Sequence, residues 1–480
     1  MNKNILLLFI IMFTSQYQTF AHTGKPKYHL IIDTDGAIDD LRAISMLLAG
    51  NEFRVLAITC SQGTLSPKSC YDKVNSLLST YYHNGIPIGI GEETKAKLPD
   101  WNPFSESIIW GENQKSEKIE NASDLLEKTM KNYPNQVTLI ALGSMKTYAD
   151  WLRKYPDSFF KIKNIIWYND TLLENGFNYM IDKASYDEIV SLGIPIQIIS
   201  NGRNDLICNN EFLNKIQGIN SIYTKHIIKV HQQSSVAELV NQNHLHLWDD
   251  LVPLYLTAPM IFNSTTENNI THFIPNKSIP QQSIYDIFAQ MFVGETQLNN
   301  RVFKIFPTDT FLYKDEYASM VETTIEKHGE TEWKSITLTN EIHGHTGIYS
   351  IVGAKMGIRA LEYFNVGVNN LKVNSFAGKQ PPLSCLNDGI QISTGATIGQ
   401  GLISISKKVL EIPTVVFDCN GQKVKISLKK SYTKQMQDDI TNAIKQYGMT
   451  DQYWLFIEKL AIKYWLEFDR HEMFDFEKSE

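Results

Sequence analysis

Hydrophobic positions along the first two hundred residues follow two alternating rhythms. Short, mostly apolar runs at 28–32, 53–59, 87–90, 137–142, 162–167 and 194–200 have the length and β-branched content of strands buried on both faces. Between them, apolar residues recur every three or four positions at 68–82, 122–132 and 145–153, as in helices that turn one face inward. Strands alternating with helices predict an α/β fold, a mostly parallel sheet with helices on both faces.

Beyond residue 209 the rhythm changes. The stretch 209–260 reads as helical, and 264–340 as mixed, interrupted by Pro275, Pro280 and Pro307. A composition shift near 330–335 marks the predicted joint. The residues beyond it predict a smaller α+β domain: a helix at 348–364, a Gly/Thr-rich stretch at 393–401, and two amphipathic helices over 434–467 divided at Gly448. A hairpin is expected where 414–418 and 422–428 flank Asn420-Gly421, a pair suited to a type I′ turn. The predicted organisation is a leader over 1–21, a first domain over 22–334 and a second over 335–480.

The leader carries Lys3, an apolar run at 5–13 and a polar stretch ending Thr19-Phe20-Ala21, the plan of a cleavable export signal. Its apolar part is too short for a permanent anchor, and no later stretch reaches membrane-span length. A periplasmic or secreted protein is expected. The 480 residues exceed one ordinary core, in keeping with two domains. A net charge of −7 without a long basic run argues against a nucleic-acid partner. Five cysteines, Cys60, Cys70, Cys208, Cys385 and Cys419, are too few for a disulfide framework.

Candidate chemistry concentrates where the first strand turns into a helix. Asp33, Asp35, Asp39 and Asp40 place four carboxylates within eight residues. In open α/β sheets ligands bind beyond the carboxyl ends of the strands, so these acids stand at the expected crevice. Such close acids repel unless something positive joins them. A hard cation with oxygen ligands, Ca²⁺ or Mg²⁺, suits a site with no Cys or His beside it in sequence. Trp248-Asp249-Asp250 is a second acidic feature.

These segments resemble the inosine-uridine type nucleoside hydrolase family, whose mark DxDPGxDD follows the first strand. Here Asp33-Thr34-Asp35-Gly36-Ala37-Ile38-Asp39-Asp40 keeps every acid and replaces the Pro-Gly pair. Ala141-Leu142-Gly143-Ser144-Met145-Lys146-Thr147, then Phe177-Asn178 with Asp182, then Trp248-Asp249 follow in the family's order. The resemblance implies a nucleoside or related riboside as substrate and Ca²⁺ bound by Asp35, Asp40 and Asp249 side chains and the Leu142 carbonyl. It further implies that Asp35 deprotonates a water, while Asp39 and Asn178, with Phe177 beside them, grip the sugar. Cleavage of the N-glycosidic bond would pass through an oxocarbenium-like transition state, which nearby acids favour. Trp110 and Trp248 stand where the family often has histidines that help the base depart; they could stack on the aglycone instead. A homo-oligomer is left open.

Two other readings compete. Asp33-Thr34-Asp35-Gly36 also resembles the nucleophile loop of haloacid dehalogenase-type phosphatases, with Asp33 attacking phosphorus and Mg²⁺ as the ion. The other is a calcium-dependent nucleoside or sugar binder without turnover.

Residues 335–480 resemble the E-type subunit family of formylmethanofuran dehydrogenase. The matching stretches are Ile342-His343-Gly344-His345-Thr346-Gly347, Gly353-Ala354-Lys355-Met356-Gly357 and Cys385-Leu386-Asn387-Asp388-Gly389. Gly347 and Ala396 stand where the family often has cysteines. His343, His345 and Cys385 would suit Zn²⁺ or another transition metal if they converge.

Overall fold

The computed structural model describes residues 26–112, 119–133, 136–296, 302–303 and 305–479. The leader expected over 1–21 lies outside the described residues. The first unit is built on β1 (Tyr28–Thr34), β2 (Phe53–Cys60), β3 (Ile88–Ile90), β4 (Glu120–Asn121), β5 (Val137–Ala141) and β6 (Ile165–Tyr168). It is completed by β7 (Ile196–Ile199), β8 (Phe262–Glu267) and β9 (Ile270–Pro275). They form one nine-stranded sheet in the order β4-β3-β2-β1-β5-β6-β7-β9-β8. Every pairing is parallel except that of β8 with β9.

All six predicted strands are present, because apolar runs flanked by helical segments bury themselves in a sheet covered on both faces; β2 is buried along its whole length. Strand β8 carries no such signal, since its sequence Phe-Asn-Ser-Thr-Thr-Glu is exposed after the first residue. It is an edge strand held by its partner rather than by burial. Helix α1 (Ile38–Ala49), which leaves the acidic turn, is buried at every position. Strand order runs outward in both directions from β1, so the crevice opens beyond the ends of β1 and β5.

The second unit has a five-stranded sheet. Its strands are β10 (Lys372–Ser375), β11 (Ile403–Ile405), β12 (Thr414–Cys419), β13 (Gln422–Leu428) and β14 (Phe474–Ser479). Their order is β11-β10-β12-β13-β14. The hairpin forms as expected, with Asn420 at φ 51° and Gly421 at φ 90°. Helix α2 (Ile348–Phe364) lies buried against α3 (Leu386–Thr394). A Cβ at Gly353 would stand 2.1 Å from the Leu386 carbonyl oxygen, so that part of the motif exists for close helix packing. The expected joint at 335 falls inside the helix Glu330–His343, and the second core already includes Phe306, Met320, Val321 and Trp333.

The second unit docks on the edge of the large sheet where its strands begin. Arg54, at the start of β2, donates from Nη1 to Asn370 Oδ1 at 2.9 Å. Asn365 Nδ2 donates to the Leu48 carbonyl at the end of α1, and the Gly85 N–H donates to the Tyr363 carbonyl. Tyr82 stacks on His471 with ring centroids 3.7 Å apart. The acidic turn is at the other end of β1. No helix among the described residues is long and apolar enough to cross a membrane.

Candidate functional site

The end of β1 delivers two acids with different fates. Asp33 is fully buried, and both its oxygens are taken: Thr59 Oγ1 donates to Oδ1 at 2.6 Å and Ser61 Oγ to Oδ2 at 2.7 Å. Burial pushes it up to about 7 despite those bonds. A carboxylate so enclosed fastens β1 to β2 and is no nucleophile, which removes the phosphatase reading.

Asp35, the next acid, faces the crevice. Its Oδ1 accepts from the Ala37 N–H at 3.3 Å, and Thr64 bonds it through backbone and side chain. Burial, and after it the charge of Asp39, pushes Asp35 up to about 7. The loop carrying Thr64 comes so near that a Cβ at Gly63 would stand 2.0 Å from Asp35 Oδ2; only glycine fits there.

At the start of α1, Asp40 Oδ2 accepts from Thr34 Oγ1 at 2.5 Å and from the Asp35 and Gly36 N–H groups at 3.0 and 3.2 Å. Asp249 arrives from more than two hundred residues downstream. Ligand oxygens of Asp39, Asp40 and Asp249 all lie within 4.8 Å of one another. Burial first, then the neighbouring acids, pushes both Asp40 and Asp249 well above the ordinary carboxylate range. Asp249 Oδ1 is buried without a hydrogen-bond partner. Among the described residues no salt bridge reaches Asp35, Asp39, Asp40 or Asp249. Three convergent carboxylates, one with an orphaned oxygen, fit a hard divalent cation, whose ligand oxygens sit about 2.3–2.6 Å from its centre. The tightest triple differs from the expected one: Asp39, anticipated on the sugar, stands with Asp40 and Asp249, while Asp35 lies beside them.

The end of β5 brings in Leu142. Its carbonyl accepts from Asn178 Nδ2 at 2.7 Å, and the same nitrogen donates to the Tyr168 carbonyl at 3.1 Å. The structure therefore joins Leu142 and Asn178 as the sequence order suggested, and a carbonyl with two lone pairs keeps capacity for a further partner. Asp182 instead caps the helix Lys183–Ser191, accepting from the Ser185 N–H and hydroxyl.

The aromatic positions divide. Trp110, expected against the aglycone, is 2% exposed and packs in the core near His226, so it cannot stack on a ligand. The exposed tryptophan of that loop is Trp101, 49% exposed, with its ring 5.0 Å from Phe177. The neighbouring Asn102 Nδ2 donates to the Thr64 carbonyl, which ties Trp101 to the loop over Asp35. Its placement after Pro99-Asp100 in a polar loop was the available signal. Trp248 is half-exposed, stacked on His246 and adjacent to Asp249.

In the second unit, the three soft candidates do not gather. His343 and His345 have ring centroids 4.4 Å apart, but His343 Nδ1 bonds Asp388 Oδ2 at 2.8 Å. Cys385 is half-buried, and the three make no group at metal-ligand spacing among the described residues. The Gly347 position adjoins His343 Nε2 but supplies no thiolate. Cys60 and Cys70 are both free and buried.

Comparisons with known proteins find two families along the chain, whose matches overlap at residues 342–354. The family model described as inosine-uridine preferring nucleoside hydrolase matches residues 30–354. That described as FmdE, molybdenum formylmethanofuran dehydrogenase operon, matches 342–474. A pyrimidine-specific ribonucleoside hydrolase of Citrobacter koseri is 29% identical over 181 residues, 35% of this chain and 58% of that protein. A uridine nucleosidase of Arabidopsis thaliana is 29% identical over 150 residues, 28% of this chain and 43% of that one. This chain thus spans little more than half the length of the Citrobacter relative. Among solved structures, a purine-preferring ribonucleoside hydrolase from Gardnerella vaginalis is 16% identical with a TM-score of 0.46, covering 56% of this chain and 98% of that one.

Proposed function

From the premise that this chain belongs to the inosine-uridine preferring nucleoside hydrolase family, we propose that its first domain hydrolyses the N-glycosidic bond of a nucleoside or related riboside, with Ca²⁺ as the resident ion. The convergence of Asp39, Asp40 and Asp249, with Asp35 beside them, carries this reading. Asp39, Asp40, Asp249 and the Leu142 carbonyl would hold the ion. When bound, it supplies positive charge that offsets the buried acids and makes water at the site more acidic.

The chain's own residues perform the remaining work. Asp35, titrating near neutrality, takes the proton of the attacking water. Asn178 is fixed by the Leu142 and Tyr168 carbonyls at the crevice edge, where it meets a sugar hydroxyl. Anionic side chains beneath the sugar favour the positive charge that develops on its ring as the bond to the base lengthens. Trp101 and Phe177 offer an apolar wall for the leaving base.

A panel of purine and pyrimidine nucleosides with Ca²⁺ tests the proposal by reducing-sugar release. We expect ribose from at least one of them; none from any would reject hydrolysis. Trp248, standing where a protonatable side chain was expected, favours one alternative, a binder without turnover. That protein would show ligand-induced thermal stabilisation and no sugar. We place the protein outside the cytoplasm on the strength of its leader, which fractionation of expressing cells would check.

A further inference from the structure

Two residues after Asp40, on the inner helix α1, Arg42 is completely buried. Its guanidinium forks onto Asp250, with Nε donating to Oδ1 at 2.7 Å and Nη2 to Oδ2 at 2.6 Å; both side chains are sealed from solvent. Nη2 also donates to the His246 carbonyl at 3.1 Å. Nη1 lies 3.1 Å from His231 Nε2. Burial, joined by Arg42 itself, pushes His231 down to about 3, so its ring is neutral. Because His231 Nδ1 lies 2.7 Å from the Ile227 carbonyl, the ring proton sits there and Nε2 accepts from Arg42. Each of these partners is about two hundred residues from Arg42 in sequence, and together they fix the 246–250 segment against α1.

That segment carries Asp249. Its carboxyl group faces Asp39 and Asp40, both acids, and its Oδ1 has no partner. The turn bearing that acid is also held through Leu247, whose N–H donates to the Leu206 carbonyl at 3.0 Å and whose carbonyl accepts from Asn201 Nδ2 at 3.1 Å, but neither bond fixes the direction of the 249–250 side chains. The immediate neighbour of Asp249, Asp250, points the other way, into the guanidinium.

We propose that Arg42, acting through Asp250, is a positioning residue that holds Asp249 against Asp39 and Asp40, so that the cation site is preformed. This rests on the reading of those acids as a calcium site. A buried ion pair is weak evidence for stability in itself, because well-packed apolar residues often replace it without loss. Its retention here is explained by placement of the neighbouring acid.

The test is calcium affinity by titration calorimetry on the full chain, with thermal unfolding in chelator as the check on folding. In the double variant Arg42→Met/Asp250→Leu both charges leave together, so unfolding in chelator should stay near the parent's. Calcium affinity should fall about 10- to 100-fold, the usual effect of removing a group that orients a ligand. Activity should fall at limiting calcium and return as calcium is raised. Arg42→Lys keeps the charge but loses the fork, and should give a smaller loss in the same direction; it decides the matter if the double variant does not fold. A folded variant that binds calcium as tightly as the parent overturns the proposal while leaving the calcium reading intact. A parent that binds no calcium overturns both.

Discussion

Two buried clusters of carboxylates, one in each domain, obey opposite logic. In the second domain Glu332 receives Lys355 Nζ at 2.5 Å and Arg470 Nη1 at 3.1 Å, and Glu362 receives Arg470 Nη2 at 2.7 Å and His471 Nε2 at 3.2 Å. Burial alone would raise Glu362; Arg470, His471 and Arg359 outweigh it and hold the acid well below the ordinary carboxylate range. In the first domain Asp35, Asp40 and Asp249 are sealed more completely than Glu362, whose side chain keeps 23% exposure, and every one of the three is pushed up. The difference lies in what each cluster contains. One brings its own cations and is finished as folded; the other is electrically incomplete and calls for an ion from outside.

The sharpest way to break this comparison is to neutralise one acid in each cluster. Asp40→Asn should lower kcat/KM for the best nucleoside by about a thousandfold or more, since several kcal/mol of charge stabilisation depend on the ion it helps to hold. The same variant should melt higher than the parent in chelator, because an uncompensated buried charge has gone. Glu332→Gln should do the reverse. Leaving Lys355 buried with a neutral partner should cost about 3–5 kcal/mol in urea unfolding, with little change in calcium affinity of the surviving folded protein.

The acid-end residues were legible because they are contiguous or close to it, and because an acid pair after an apolar strand has few structural uses. Asp249 stood out as part of a second acidic feature, but its place beside Asp40 came only with the resemblance, since nothing local ties the two together. Arg42 was invisible. It interrupts an apolar helix and would ordinarily be assigned to solvent, and its partner is 208 residues away. The resemblance pointed to Trp110 rather than Trp101, and only the fold shows that the first is buried and the second exposed. Strand β8 lacked any apolar alternation to announce it. In the second domain, Gly353 and Lys355 read as motif residues, yet they serve helix contact and the ion pair with Glu332.

Acidity offers a gentler test. Asp33 and Asp35, ordinarily near 3.8, sit at about 7 in the folded chain, so folding takes up protons. The stability they contribute is fully present below the ordinary carboxylate value and is lost as pH rises through about 7. In chelator the urea midpoint should therefore fall between about pH 5 and about pH 8. With calcium the slope should flatten or invert, because ionised acids bind the ion and protons leave. Glu332→Gln should leave this pH trend in place. The smallest effect is expected from His345→Ala: metal content by elemental analysis and ribose release should both match the parent.

The docking of the second domain on the starting edge of the large sheet has a further consequence. Strand β1, seven residues and about 23 Å long, separates that seam from the acids. Helix α2, seventeen residues and about 25 Å long, separates it from His343 on the far side. The acid crevice and His343 therefore lie at opposite poles, with the seam between them. Joining the halves in one polypeptide fixes their ratio and lets each brace its neighbour.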